Sequence, residues 1–98
     1  MDIRHDPDHH RYVVEIDGDV RAEAVYERRD GRVVFTHTEV DDSLEGQGVG
    51  SELASFALDD VRASGERIVP LCPFIAGYVE RHEQYADLVD EEMTAQLR

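Results

Sequence analysis

The sequence predicts an α/β fold: an antiparallel three-stranded meander, one strand–helix–strand unit and a C-terminal helix. Three observations predict it. Alternating segments at 12–16, 20–28 and 32–40 are separated by Asp17-Gly18 and Asp30-Gly31, both two-residue hairpin signals. A glycine-rich loop, Gly46-Gln47-Gly48-Val49-Gly50, follows the third strand and opens a segment with apolar residues at helical spacing. A short apolar strand at 67–72 then meets Pro73, which suits the first position of another helix.

Residues 1–10 are polar and contain His5, His9 and His10; a solvated tail is expected, in preference to a metal site. Tyr12 to Ile16 forms the first strand. In the second, Ala22, Ala24 and Tyr26 share one face. The third, Arg32 to Val40, is rich in β-branched residues. After the loop, Leu53, Phe56, Ala57 and Val61 make a stripe expected to face the core, and Gly65 ends the helix. Strand–helix–strand order implies a right-handed crossover and parallel pairing with the third strand. Pro70 lacks an N–H, so it belongs at an edge or where strands diverge. Divergence there opens a cleft above the glycine loop. The second helix carries Phe74, Ile75, Tyr78 and Val79 and closes at Arg81-His82-Glu83. Tyr85 and Leu88-Val89 pack back as a short turn, and 90–98 form an acidic helical tail. No repeat or linker is visible. Residues 1–98 read as one domain with its core at about 10–89.

With 98 residues and no Trp, the chain builds one modest core of Val, Leu, Ile and Ala. No apolar run reaches membrane-spanning length, and no secretory signal is visible at the N-terminus. The lone Cys72 has no internal disulfide partner, so a cytoplasmic location is expected. The net charge is −13, from 23 acidic residues against 10 basic ones, all arginine. A nucleic-acid partner is disfavoured by repulsion from phosphates. Disorder is excluded by the regular apolar patterning. Dispersed acid without lysine points to a halophilic protein, because molar salt screens self-repulsion.

A strand, a Gly-rich loop and a helix N-terminus make a place for an anion. Unpaired N–H groups point out of the first turn, and the helix dipole favours negative charge there. The loop is not a P-loop, since no Lys precedes Ser51. It fits a dinucleotide fingerprint poorly, having G-x-G-x-G and no acid ending the next strand. The pattern resembles instead the acyl-CoA pyrophosphate loop of the GNAT acetyltransferase superfamily; on the loop alone, that reading and an ordinary tight turn at a helix start are equally good.

Four ordered motifs go further: His37-Thr38-Glu39-Val40; Leu44-Glu45-Gly46-Gln47-Gly48-Val49-Gly50; Val69-Pro70-Leu71-Cys72-Pro73-Phe74; and the run from Arg81 to Val89. Together they resemble the very small, stand-alone GNAT-type N-acetyltransferase-like family, over roughly residues 10–89. The resemblance implies a truncated GNAT fold that binds acetyl-CoA (coenzyme A). Its pyrophosphate would sit on N–H groups of Gln47 to Gly50, within a cofactor set of Glu39, Val40, Glu45, Gly46, Gln47, Gly48, Val49, Gly50 and Ser51. The pantetheine arm would lie between the splayed third and fourth strands. The family's active-site pair maps onto His37 and Cys72. The wider superfamily has Gln or Arg where Glu45 stands, which removes one positive contact; Arg81 or Arg67 could meet the 3′-phosphate.

Acetyl transfer needs a deprotonated amine, a polarised carbonyl and a proton for the leaving thiolate. Backbone N–H groups near Glu39 and Val40 are candidates for the carbonyl, and His37 for the base. Cys72, just before a helix N-terminus, could be an acylated nucleophile or an acid for the departing thiolate. Alternatively, Cys72 is a small buried apolar residue and His37 an ordinary strand histidine. Expected function is acetyl-CoA-dependent transfer to an unidentified amine. A non-catalytic acyl-CoA-binding or protein-interaction module is the alternative. No metal site or membrane partner is expected, and the chain is a monomer or a homodimer whose partner completes the acceptor wall.

Overall fold

A computed structural model describes all residues, Met1–Arg98. Five strands form one sheet in sequential order: β1 (Asp2–Asp6), β2 (Arg11–Ile16), β3 (Asp19–Arg29), β4 (Arg32–Val40) and β5 (Arg67–Pro70). Pairing is antiparallel from β1 to β4 and parallel between β4 and β5. Helix α1 (Val49–Ser64) crosses from β4 to β5; α2 (Pro73–Arg81) and α3 (Glu91–Leu97) follow.

The hairpins form where the sequence places them. Asp17 and Gly18 have φ of 52° and 84°, and Asp30 and Gly31 have 49° and 75°. Positive φ at both central positions matches the right-handed twist of the flanking strands. Ala22, Ala24 and Tyr26 are buried together, and Gly65 ends α1 in the left-handed region.

The N-terminus is not a solvated tail. β1 pairs with β2 across five residues. Its polar composition conceals an inward face: Ile3 packs on the core, and His5 stacks on Tyr12 with ring centroids 4.3 Å apart. Charged neighbours then protect an exposed sheet edge. Phe56 also departs from expectation. The buried stripe of α1 is Leu53, Ala54, Ala57, Leu58 and Val61, whereas Phe56 is 38% exposed and meets Tyr12 edge-on. At 3.6 residues per turn, Phe56 lies well round from the stripe's centre.

The core also extends past residue 89. Val89 bridges Ile68, the Asp90 N–H donates to the Ile68 carbonyl (2.9 Å), and Thr94 of α3 is buried. This covers part of the outer edge of β5. No helix is long and apolar enough to cross a membrane.

One irregularity positions the site. β3 and β4 pair as Tyr26–Phe35 and then Val25–His37, leaving Thr36 as an extra residue. A bulge of this kind shifts the phase of the bulged strand. Phe35 shares the helix-covered face with Tyr26, and beyond the bulge Thr38 and Val40 share it with Ala24 and Ala22. His37 and Glu39 point to the opposite face.

Candidate active site

The β4–β5 ladder ends at the Phe35–Pro70 pair. The Leu71 and Cys72 N–H groups then both donate to the Phe35 carbonyl, at 3.0 and 2.9 Å. Beyond this point β4 runs on to Val40 while the chain turns into α2. Pro70, with no N–H to give, stands where the pairing stops. The separation contributes to a cleft of about 360 Å³, lined by Thr38, Val40, Leu44, Glu45, Gly46, Gly48, Val49, Gly50, Ser51 and Phe74.

The glycine loop forms one wall. Gly46 and Gly48 have φ of 78° and 77°, a region that glycine enters without strain. Gly48 is the N-cap of α1, with no side chain capping the helix. The N–H groups of Gly48, Val49, Gly50 and Ser51 donate to no protein acceptor. The Gln47 N–H, by contrast, is occupied by the Leu44 carbonyl (3.2 Å), and its side-chain amide donates to the Ser43 carbonyl (3.2 Å). The free donor row therefore begins at Gly48 rather than Gln47. Asp41 holds the approach: its carboxylate accepts from the Ser43 hydroxyl and N–H, which keep it below the usual range for a carboxyl group.

Cys72 is the N-cap of α2 and is buried at 2% exposure. Its Sγ lies 3.0 Å from Thr38 Oγ1. His37 is not its neighbour: the imidazole is exposed, and its Nε2 lies 3.7 Å from Glu39 Oε2 on the other side of the sheet. Of the expected residues, the structure brings together Val40, Glu45, Gly46, Gly48, Val49, Gly50 and Ser51 along the cleft. Cys72 lies behind Thr38, while His37 and Glu39 face away.

A family model described as GCN5-related N-acetyl-transferase matches residues 11–88. The chain belongs to that family. Among solved structures, the chain resembles a GCN5-like protein from Staphylococcus aureus named as a candidate N-acetyltransferase. The two are 26% identical, with 90% of this chain and 86% of that chain covered and a TM-score of 0.71. No curated protein matches.

In this GCN5-related chain the cleft presents a row of free N–H groups at the positive end of a sixteen-residue helix, an arrangement that suits an anionic group. The side-chain electrostatics are less accommodating. Glu45 lines the cleft and no arginine does. Arg67 pairs with Arg32 at the far end of β5 and donates to the Val89 carbonyl (2.7 Å), so it does not reach the cleft. The sequence reading missed Thr38, Leu44 and Phe74 as cleft residues. Plain alternation from Phe35 would have turned Thr38 away, and the Thr36 bulge has no clear sequence signal.

Proposed function

We propose that this chain transfers an acetyl group from acetyl-CoA to an amine. The observation that carries the reading is the row of free N–H groups from Gly48 to Ser51, opening on the cleft beside the separation of β4 and β5. Acetyl-CoA, when bound, would supply an activated acetyl thioester, with the CoA thiol as leaving group. Gly48, Val49, Gly50 and Ser51 would hold its pyrophosphate through main-chain donors. Val40, Leu44 and Phe74 give the cleft an apolar wall, against which the pantetheine arm would pack. Glycine at 50 lets the first turn of α1 approach Phe74 and Val40 closely.

One observation favours a second reading, acyl-CoA binding without turnover: His37 points away from Cys72, so the thiol has no imidazole beside it. Calorimetric titration of acetyl-CoA and desulfo-CoA in molar KCl tests the shared part. Binding at micromolar Kd or tighter, about −8 kcal/mol, supports a CoA site; no binding by folded protein overturns both readings. Cys72→Ala separates them. Lost acetyl transfer with CoA affinity kept supports catalysis through Cys72, and unchanged transfer removes the thiol from the mechanism.

A further inference from the structure

We infer that Thr38 is the residue that positions the Cys72 sulfur relative to the cleft, in place of an imidazole. The catalytic meaning of this assignment rests on the acetyl-transfer reading; its geometry does not. Thr38 Oγ1 is the hydrogen-bond partner of Cys72 Sγ, at 3.0 Å. Thr38 also lines the cleft, and the buried sulfur lies behind it. Whatever Cys72 does to a group in the cleft, it does alongside this hydroxyl.

The arrangement follows from two backbone features. The Thr36 bulge turns Thr38 onto the face of Cys72 and His37 onto the other. The shared acceptor at the Phe35 carbonyl pins Leu71 and Cys72 where β5 ends. Threonine is stiff at χ1, so its hydroxyl holds one direction. A hydroxyl can accept from a thiol or donate to a thiolate, and the bond to an ionised sulfur is the stronger. Thr38 can therefore hold the sulfur in either protonation form. His37, exposed and beside Glu39, can do neither from its side of the sheet.

Cys72 is the only cysteine, so its alkylation by iodoacetamide can be followed by mass without ambiguity. The thiolate is the nucleophile, and losing a net hydrogen bond of about 1.4 kcal/mol corresponds to about tenfold in rate. Because Cys72 is buried, each rate is corrected for the variant's stability from its urea midpoint; near-isosteric Thr38→Val should then slow alkylation by about tenfold, and Thr38→Ser should restore most of the rate. Folding is checked by circular dichroism. If Thr38→Val does not fold, the contrast between Thr38→Ser and Thr38→Ala carries the same test, since only serine keeps the hydroxyl. Equal rates for the hydroxyl and non-hydroxyl variants would overturn the assignment. So would a tenfold fall in His37→Ala with no change in Thr38→Val. CoA titration of the same proteins keeps the two ideas apart: a wild type that does not bind CoA overturns the functional reading and leaves the alkylation contrast intact.

Discussion

Gly50 stands so close to Phe74 that a Cβ at position 50 would lie 2.6 Å from Phe74 Cζ and 3.4 Å from Val40 Cγ2. The glycine is needed for contact, not for an unusual φ. It sets how closely α1 approaches the β4 and α2 sides of the cleft.

Gly50→Ala is accordingly expected to displace the Phe74 ring. Overpacking costs about 1–3 kcal/mol, against a helix-propensity gain of up to about 1 kcal/mol. The net expectation is a loss of about 1 kcal/mol, or a Tm lower by about 4–8 °C, and, on the proposed acetyl-CoA reading, weaker CoA binding. Adding Phe74→Leu should return most of the stability, because the atom in the way is the far end of that ring. A Gly50→Ala protein with unchanged Tm and unchanged CoA affinity would show that the approach is not tight.

Much of this was legible in the sequence, and the failures share a cause. The Asp-Gly hairpins, the Gly65 stop, the parallel β5 and the end of pairing at Pro70 all follow from backbone chemistry that single residues announce. β1 was hidden because its strand is polar and its inward residues are only Ile3 and His5, one of them itself polar. The side of the sheet taken by His37 was hidden because one bulged residue, Thr36, reverses every side chain after it. Whether a strand carries such an insertion depends on its partner, and local sequence does not report it. Phe56 misled for a simpler reason: three-residue spacing from Leu53 places it at the rim, where size does not guarantee burial.

His5 should matter to stability well beyond an ordinary surface histidine. Its Nε2 lies 2.6 Å from the Tyr26 hydroxyl, its Nδ1 lies 3.5 Å from Asp60, and its ring stacks on Tyr12. One side chain thus ties β1 to β2, β3 and α1. His5→Ala removes the hydrogen bond and the stack together, an expected loss of about 1–3 kcal/mol. His5→Phe keeps a ring and should recover part of it. Urea midpoints for the three proteins check this, and a His5→Ala midpoint equal to wild type would mean that β1 contributes little.

Acid stability should depend on Asp90. Its carboxylate accepts from the Met93 N–H at the start of α3 (2.9 Å) and from Arg32 Nε (2.8 Å), and these hold its pKa below the usual range. A carboxyl group depressed in the folded state contributes stability that is present above its unfolded value of about 3.9. That contribution is lost as pH falls through the folded value. Asp90→Asn keeps a capping side chain but cannot titrate. Between pH 7 and pH 3 the variant should therefore lose less stability than wild type, with the difference confined to the region below about pH 5. Parallel urea-midpoint curves across that range would remove Asp90 from the acid transition.

Salt should stabilise this protein more than most. Seven arginines pair with carboxylates, yet about half of the 23 acidic residues have no cationic partner within ion-pair distance. The surplus therefore acts as a like-charged shell around a small core. In dilute buffer the Debye length is tens of ångströms, comparable with the 39 × 28 × 23 Å extents of the molecule, so repulsion sums over the whole surface. At about 1 M salt the Debye length is about 3 Å and only immediate neighbours interact. Screening also weakens the exposed ion pairs, but each contributes at most about 1 kcal/mol. The balance predicts a Tm that rises from dilute buffer to molar KCl. Sodium perchlorate at the same ionic strength separates screening from the burial-strengthening effect of other salts: a rise common to both salts identifies self-repulsion as the cause. A Tm that falls or stays flat as KCl increases would mean that the ion pairs outweigh the repulsion.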